Sequence, residues 1–369
     1  MYEQHKDGEI SALQSFIIII NIMIGTGIMG ISRSVAEVSQ QDAWISVFIN
    51  GIFISFIMII IVYTISKFPQ YNFLQYTSYL LSKPIGYLIT LAFTLYGLLV
   101  VALVIRFLTE MVITWLLPNT PSWIINFVIA LTTLYMTKNG ATILARFNEV
   151  IVFMLIPFGL LVFIALPQSS FINLRPIGGS GISNILKGIM PSFFAFAGYE
   201  ELLVYYPYIS DKQRPIMKQS AIAVFIVGLF YTLTVMAHIA LYGPQEIRQV
   251  LYPSINYLMA VEFPIVERME IFYATFWTFT VLATIGIQYL ASCILLQNIF
   301  STKKTSFFVY IVLPIVFTLS LIPQDTTEVI SFSEKIGKLN IFFGLLLPII
   351  LFLMYFIRGG KNKKYEKNN

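Results

Sequence analysis

The stretch from residue 20 to residue 30 reads INIMIGTGIMG, so three glycines interrupt an otherwise apolar run. A second interruption spans residues 191–201, which read PSFFAFAGYEE and end in two adjacent carboxylates. Glycine weakens a helix, and adjacent carboxylates are costly inside an apolar helix. The fold therefore depends on what surrounds these two stretches.

The composition places both stretches in a membrane protein. Of the 369 residues, 57% are hydrophobic and 11% are charged, and the mean hydropathy is +0.80. A soluble domain carries roughly 25% charged residues, because water must cover its surface. A bilayer accommodates such an excess of apolar side chains, so the lipid bilayer is the predicted surrounding.

Ten apolar segments are long enough to be candidate spans of an all-α membrane protein, since about 20 helical residues cross the hydrocarbon. No segments of alternating polarity typical of a membrane β-barrel occur. The predicted spans are 11–31, 44–66, 86–117, 122–137, 147–166, 185–208, 216–241, 271–299, 306–322 and 339–357. The loop 242–270 is predicted to hold a short surface helix.

Lysine and arginine residues are distributed unequally between alternate loops. Placing the N-terminus inside puts 15 of them in the cytoplasm and 6 on the opposite side. This bias predicts that both termini are cytoplasmic. Membrane orientation thus explains the net charge of +5, and no nucleic-acid partner is predicted. The single cysteine, Cys293, and two histidines predict no metal site, and we predict no cofactor.

The first interruption has two false or modest explanations. Gly25 to Gly30 matches the spacing of a dinucleotide fingerprint, but that fingerprint needs a strand before it and an acidic residue about 20 positions later. Position 50 is Asn50, and the glycines lie within a span. The alternative is a close-packing face for a neighbouring helix.

The second interruption carries Glu200 and Glu201 near the middle of a span. Each carboxylate costs about 2.5–3.5 kcal/mol on insertion scales, so neither is expected to face lipid. Unwinding at Gly198 would let one carboxylate cap free amides and place the other in a polar cavity. For Glu200, a structural role and a direct ligand role both remain open.

Together, the two breaks predict more than either alone. Paired interrupted helices in two halves of a chain point to an inverted-repeat transporter fold with a central site. Free amides of the half-helix that begins near Gly27 favour a carboxylate, and freed carbonyls suit an ammonium group. The predicted ligand is a zwitterionic amino acid or similar small molecule.

These motifs resemble those of a known superfamily. Gly25-Thr26-Gly27-Ile28 and the segment 193–200 look like the signature breaks of the amino acid–polyamine–organocation transporters. The size, the ten segments and the start at 9–14, EISALQ, narrow the resemblance to the B subunit of spore germinant receptors, the GerAB-type or GerKB-type endospore permeases. It covers essentially the whole chain.

The resemblance implies one transmembrane domain with a LeuT-like 5+5 inverted repeat and broken helices one and six. Its parts would be repeat one at about 11–166, repeat two at about 185–322, further helices to 357 and a cytoplasmic tail at 358–369. It also implies A and C receptor subunits as partners in the inner spore membrane. A germinant would bind between spans one, three, six and eight and trigger germination.

The predicted binding residues come from these four spans. Tyr96 and Val100 share one face of span three, and the resemblance suggests that they line the pocket, although plain packing is an alternative. Thr284 and Gln288 have the same spacing on span eight, where hydroxyl and amide groups could meet a ligand. Besides these four, the predicted site comprises Gly25, Thr26, Gly27, Phe196, Gly198, Tyr199 and Glu200.

Other polar residues have bland alternatives. Arg106 and Glu110 lie four apart on span three, where a structural salt bridge is favoured over a gate. His238 is more often a packing residue than a proton relay. Span five contains no lysine, whereas some proton-coupled members of the superfamily carry one there.

Three functions follow from these features. The leading hypothesis is a nutrient-sensing receptor subunit, and no Ser-His-Asp set or phosphate-cradling loop points to an enzyme. The alternatives are a working amino acid transporter of the same fold and an ion-conducting subunit gated by its ligand.

Overall fold

A computed structural model describes residues 9–212, 215–260, 268–302 and 304–358. Throughout these ranges the chain is helical, apart from connecting turns and one isolated bridge between Ile10 and Ile209. The predicted cytoplasmic tail beyond Arg358 lies outside the described residues.

The helices follow the predicted apolar segments closely. They are α1 (Ala12–Met23), α2 (Gly27–Ser39), α3 (Ala43–Ser66), α4 (Phe73–Leu80), α5 (Lys83–Trp115), α6 (Ser122–Thr137), α7 (Ala141–Leu161), α8 (Ile182–Lys187), α9 (Ile189–Phe193), α10 (Leu202–Tyr205), α11 (Ile216–Glu246), α12 (Pro253–Met259), α13 (Met269–Phe300), α14 (Thr305–Ser320), α15 (Thr326–Asn340) and α16 (Leu347–Arg358). A π-helical segment, Ile341–Leu346, joins α15 to α16.

Six helical stretches are long and apolar enough to cross a membrane: Gly27–Ser66, Lys83–Trp115, Ala141–Gln168, Ile216–Glu246, Met269–Phe300 and Thr326–Arg358. Shorter apolar helices lie at Ala12–Met23, Ser122–Thr137, Ile182–Phe196 and Thr305–Ser320. The chain is therefore a multi-pass membrane protein. The number of ten crossings stays a prediction, as does the division into two repeats.

The first break is confirmed between α1 and α2. Helix α1 starts with a capping box, in which the Gln14 amide donates to Ser11 Oγ at 3.0 Å and the Ser11 amide donates to Gln14 Oε1 at 2.8 Å. It ends at Met23, and α2 begins four residues later at Gly27. An added methyl group at Gly27 would overlap with the backbone of Ala195. Gly27 therefore lets the two broken segments touch.

The second break is confirmed around Gly198. Short 3-10 turns at Phe194–Phe196 and Tyr199–Glu201 flank Ala197, whose backbone is extended. Gly198 has a φ of 112°, which glycine adopts without the steric cost that a side chain adds. A Cβ there would also lie 2.8 Å from Ile22 Cγ1. The break in span six thus needs a glycine at this position.

The remaining helices pack tightly around the breaks. Helices α3 and α11 approach closely at Gly51 and Gly228, where a Cβ on Gly51 would lie 3.0 Å from the Gly228 Cα. The predicted surface helix is α12, and its Ser254 hydroxyl donates to the Ile28 carbonyl of α2 at 2.6 Å. Close packing of small residues allows such helix approaches in membranes.

Candidate ligand site

A small central cavity lies where the two broken helices meet α5 and α13. Its volume is about 30 Å³. A single water occupies a similar share of liquid volume, about 30 Å³. Its lining consists of Ile22, Met23, Gly25, Thr26, Gly27, Tyr96, Val100, Val104, Phe194, Ala195, Ala197, Gly198, Thr284 and Gln288.

The structure brings most of the predicted site residues together in this lining: Gly25, Thr26, Gly27, Tyr96, Val100, Gly198, Thr284 and Gln288. They come from four separate parts of the chain. The spacing argument for Tyr96 and Val100, and for Thr284 and Gln288, places each pair on the face of its helix that meets the cavity.

Three predicted residues lie outside this lining. Phe196 packs edge-on against Tyr231 with ring centroids 5.2 Å apart, while its neighbour Phe194 lines the cavity instead. The 3-10 turn at Phe194–Phe196 determines which of these rings faces inward. The Tyr199 hydroxyl donates to the Gly344 carbonyl at 2.7 Å, within the π-helical segment.

Glu200 is also outside the lining, and it holds the break together. Its Oε2 accepts a hydrogen bond from the Gly198 amide at 2.8 Å. Its Oε1 accepts from the Tyr96 hydroxyl at 3.1 Å and from Asn340 Nδ2 at 3.0 Å. These contacts favour the structural role over direct ligand contact.

Asn340 is a site residue that the sequence reasoning missed. Besides Glu200, its Nδ2 donates to the Tyr96 hydroxyl at 3.0 Å, so it reaches the wall of the cavity from the end of α15. Tyr96 also stacks on Phe343 with centroids 4.9 Å apart. An isolated asparagine at the start of an apolar run was the available signal, since buried amides need partners.

Hydrogen bonds fix the polar groups of α13 beside the break in span one. Thr284 Oγ1 lies 3.2 Å from the carbonyls of both Asn21 and Ile22, which the end of α1 leaves without helical partners. Trp277 Nε1 donates to the Gly25 carbonyl at 3.0 Å. Side chains thus satisfy several of the carbonyls that the break frees.

The amide end of the break is polarised in the opposite sense. Helix α2 runs for 13 residues from Gly27, and Thr26 makes no side-chain capping bond to its first turn. Unpaired amides and the helix dipole make this end favourable for an anion. The cavity therefore offers donors on one side and carbonyls on the other.

A wider vestibule of about 600 Å³ adjoins the central cavity. The two share Thr26, Gly27, Phe194 and Ala195, so Phe194 lies between them. Charged residues in the vestibule are Arg33, Glu37, Glu334 and Lys338. The vestibule provides the widest approach to the central cavity among the described residues.

Arg106 and Glu110 form an ion pair with a separation of 2.5 Å. Arg106 Nη2 also donates to the Gln324 carbonyl at 2.7 Å, and Thr326 Oγ1 donates to Glu110 Oε2 at 3.4 Å. These bonds tie α5 to the start of α15. The geometry favours a structural salt bridge.

His238 lies apart from the cavity. Its Nδ1 is 2.8 Å from Ser32 Oγ, and its ring packs against Tyr257 with centroids 4.9 Å apart. Both contacts join α11 to neighbouring helices, which is the packing role rather than that of a relay.

Comparison with known proteins places the chain in a family. Residues 9–329 match the family described as spore germination protein. The chain belongs to this spore germination family. It is 27% identical to the spore germination protein YndE of Bacillus subtilis (strain 168), over 94% of this chain and 96% of YndE. It is 28% identical to the spore germination protein GerQB of Bacillus cereus, over 75% of this chain and 77% of GerQB.

The fold matches that of a solved transporter-like structure. The crystal structure of MhsT in complex with L-phenylalanine superposes with a TM-score of 0.65, at 14% identity, over 95% of this chain and 99% of MhsT. At this identity the likeness concerns the fold. This member of the spore germination family is therefore an all-α protein with a LeuT-like fold whose helices one and six are broken.

Proposed function

We propose that the chain is the B-type, nutrient-sensing subunit of a spore germinant receptor, and that it binds a small germinant, an amino acid, in the central cavity. The single observation that carries this proposal is the meeting of both helix breaks at one cavity, with Thr26 and Gly27 on one side and Gly198 on the other. Membership of the spore germination family supports the germination role.

The chemistry of the cavity supports an amino acid. The free N-terminus of α2 would receive its carboxylate, and carbonyls left by the breaks would receive its ammonium group. Val100, Val104 and Phe194 supply an apolar wall for a side chain. A small, partly apolar amino acid fits this combination.

Binding requires the cavity to open. A volume of about 30 Å³ is far below the 300–1,000 Å³ of typical ligand sites. Phe194 is the side chain whose movement joins the cavity to the vestibule, because it lines both. Ligand entry would thus rearrange the second break, and this change would be the signal that the subunit transmits.

The setting of the protein follows from the same proposal. The subunit would act with A and C subunits in the inner spore membrane, with both termini cytoplasmic. The vestibule, which carries Arg33 and Lys338, would then face outward. The two halves at 11–166 and 185–322 would be the inverted repeats.

Filling the cavity tests this function in spores. Val100→Phe adds a ring to a cavity-lining residue, and Val150→Phe makes the same change on α7, where Val150 is 60% exposed. Spores that carry each variant are tested for germination in single amino acids. Val100→Phe is expected to abolish or shift nutrient responsiveness, whereas Val150→Phe is expected to retain it. Unchanged responsiveness in Val100→Phe at normal protein levels would refute the proposed site.

A working amino acid transporter is the second candidate, and its support is the fold shared with MhsT. Uptake of labelled amino acids into vesicles that contain only the purified chain would favour transport. Binding without uptake would favour the sensing subunit.

A further inference from the structure

Glu201 is buried without a cationic partner. Its side chain is 3% exposed, and among the described residues no lysine or arginine forms an ion pair with it. The titratable side chains that face it are Glu200, Tyr76, Tyr96 and Tyr205, none of which carries a positive charge. A buried carboxylate in this setting needs a positive charge or a proton from elsewhere.

The two adjacent glutamates differ in how their oxygens are satisfied. Glu200 accepts hydrogen bonds on both oxygens. Glu201 Oε1 accepts one from Gln288 Nε2 at 2.6 Å, but its Oε2 has no hydrogen-bond partner among the described residues. The unsatisfied oxygen is therefore specific to Glu201.

Glu201 lines a second cavity, of about 10 Å³, next to the ligand cavity. This is near the lower limit of about 10–15 Å³ for one water-sized particle, which excludes an organic cation. Ser15 and Tyr205 also line it, and their hydroxyls donate to the carbonyls of Ala12 at 2.8 Å and Ile287 at 2.6 Å. Because their protons are directed to these carbonyls, both hydroxyl oxygens offer lone pairs. Oxygen atoms are the ligands that hard cations prefer.

We propose that Glu201 is the site of one small cation, an alkali-metal ion or a proton, in the wall that separates this second cavity from the ligand cavity. Ile22 and Gly198 line both cavities, and Gln288 lines the ligand cavity while it bonds Glu201. Occupation of the site therefore fixes the position of Gln288. The site exists whether or not the central cavity binds a nutrient.

The test uses the purified full-length chain without any amino acid. Its Tm is measured in sodium or potassium chloride against choline chloride at equal ionic strength, and over a pH series. A cation that binds only the folded state raises Tm with its concentration. We expect Tm to rise with the alkali ion if a metal ion is bound, or with falling pH if a proton is bound. Glu201→Gln should lose that response, or need roughly tenfold more cation for it.

Glu334→Gln is the matched control, because Glu334 is an exposed carboxylate of the vestibule. It should keep the wild-type response. If Glu201→Gln does not fold, Glu201→Asp withdraws the carboxylate by one methylene and should weaken the response in the same way. A wild-type Tm that is insensitive to alkali ions and pH, or a response unchanged in a folded Glu201 variant, would overturn the proposal. Neither result depends on nutrient binding, so failure here is distinct from failure of the proposed function.

Discussion

The Tyr96 hydroxyl donates a hydrogen bond to Glu200 Oε1 over 3.1 Å, which joins the wall of the central cavity to the break in span six. Asn340 Nδ2 lies 3.0 Å from both groups and brings the end of α15 into the same network. One cavity-lining side chain thus contacts two elements that a ligand would have to move.

Removal of the Tyr96 hydroxyl should weaken this network. Tyr96→Phe leaves Glu200 and Asn340 each without one partner, and a lost partner for a buried polar group costs about 1–3 kcal/mol. We expect a lower Tm of the purified protein and weaker germinant binding. Tyr135→Phe is the matched control, because Tyr135 is 72% exposed on α6. Equal Tm values for the two variants would contradict the structural importance of this bond.

A methyl group at Gly27 should prevent the close approach of the two broken helices. Gly27→Ala places its Cβ against the Ala195 backbone, which cannot rotate away, and overpacking costs about 1–3 kcal/mol. Gly30→Ala provides the control, since a Cβ there meets nothing within 4 Å. Thermal unfolding should show a loss for Gly27→Ala and no loss for Gly30→Ala. The reverse order would refute this contact between the breaks.

Asp42 should anchor the loop before span six. Its Oδ1 accepts from the Gly178 amide at 2.8 Å, and its Oδ2 accepts from the Ser180 amide at 2.8 Å and the Ser180 hydroxyl at 2.7 Å. Asp42→Asn replaces an acceptor by a donor, so a loss of about 1–3 kcal/mol in unfolding free energy is expected. Ser180→Ala removes one bond only and should cost less. Similar stabilities for wild type and Asp42→Asn in denaturant titration would count against this anchor.

Much of the fold could be predicted from local sequence. Apolar runs gave the helices, and the glycines beside Thr26 and Glu200 located both breaks, because these signals depend on residues close together in the chain. The fourth predicted segment, 122–137, coincides with α6. The tenth began too late, since α15 already starts at Thr326 with polar residues that do not read as a span.

The details of the site depended on contacts between distant residues. Asn340 bonds Tyr96 across 244 positions in sequence, and no local pattern gives that pairing. Phe194 rather than Phe196 faces the cavity because a 3-10 turn, not a regular helix, sets their directions. The different surroundings of Glu200 and Glu201 likewise depend on the helices packed against them.

Direct binding to the purified full-length chain in lipid nanodiscs tests the central claim, that the cavity between the two breaks binds an amino acid. Calorimetry with each of the common L-amino acids, L-phenylalanine included, compares wild type with Val100→Phe and Val150→Phe. We predict saturable binding of at least one amino acid by wild type and Val150→Phe, and a loss of at least about tenfold in affinity, or 1.4 kcal/mol, in Val100→Phe. Absence of binding by wild type, or equal affinity in Val100→Phe, would contradict the claim.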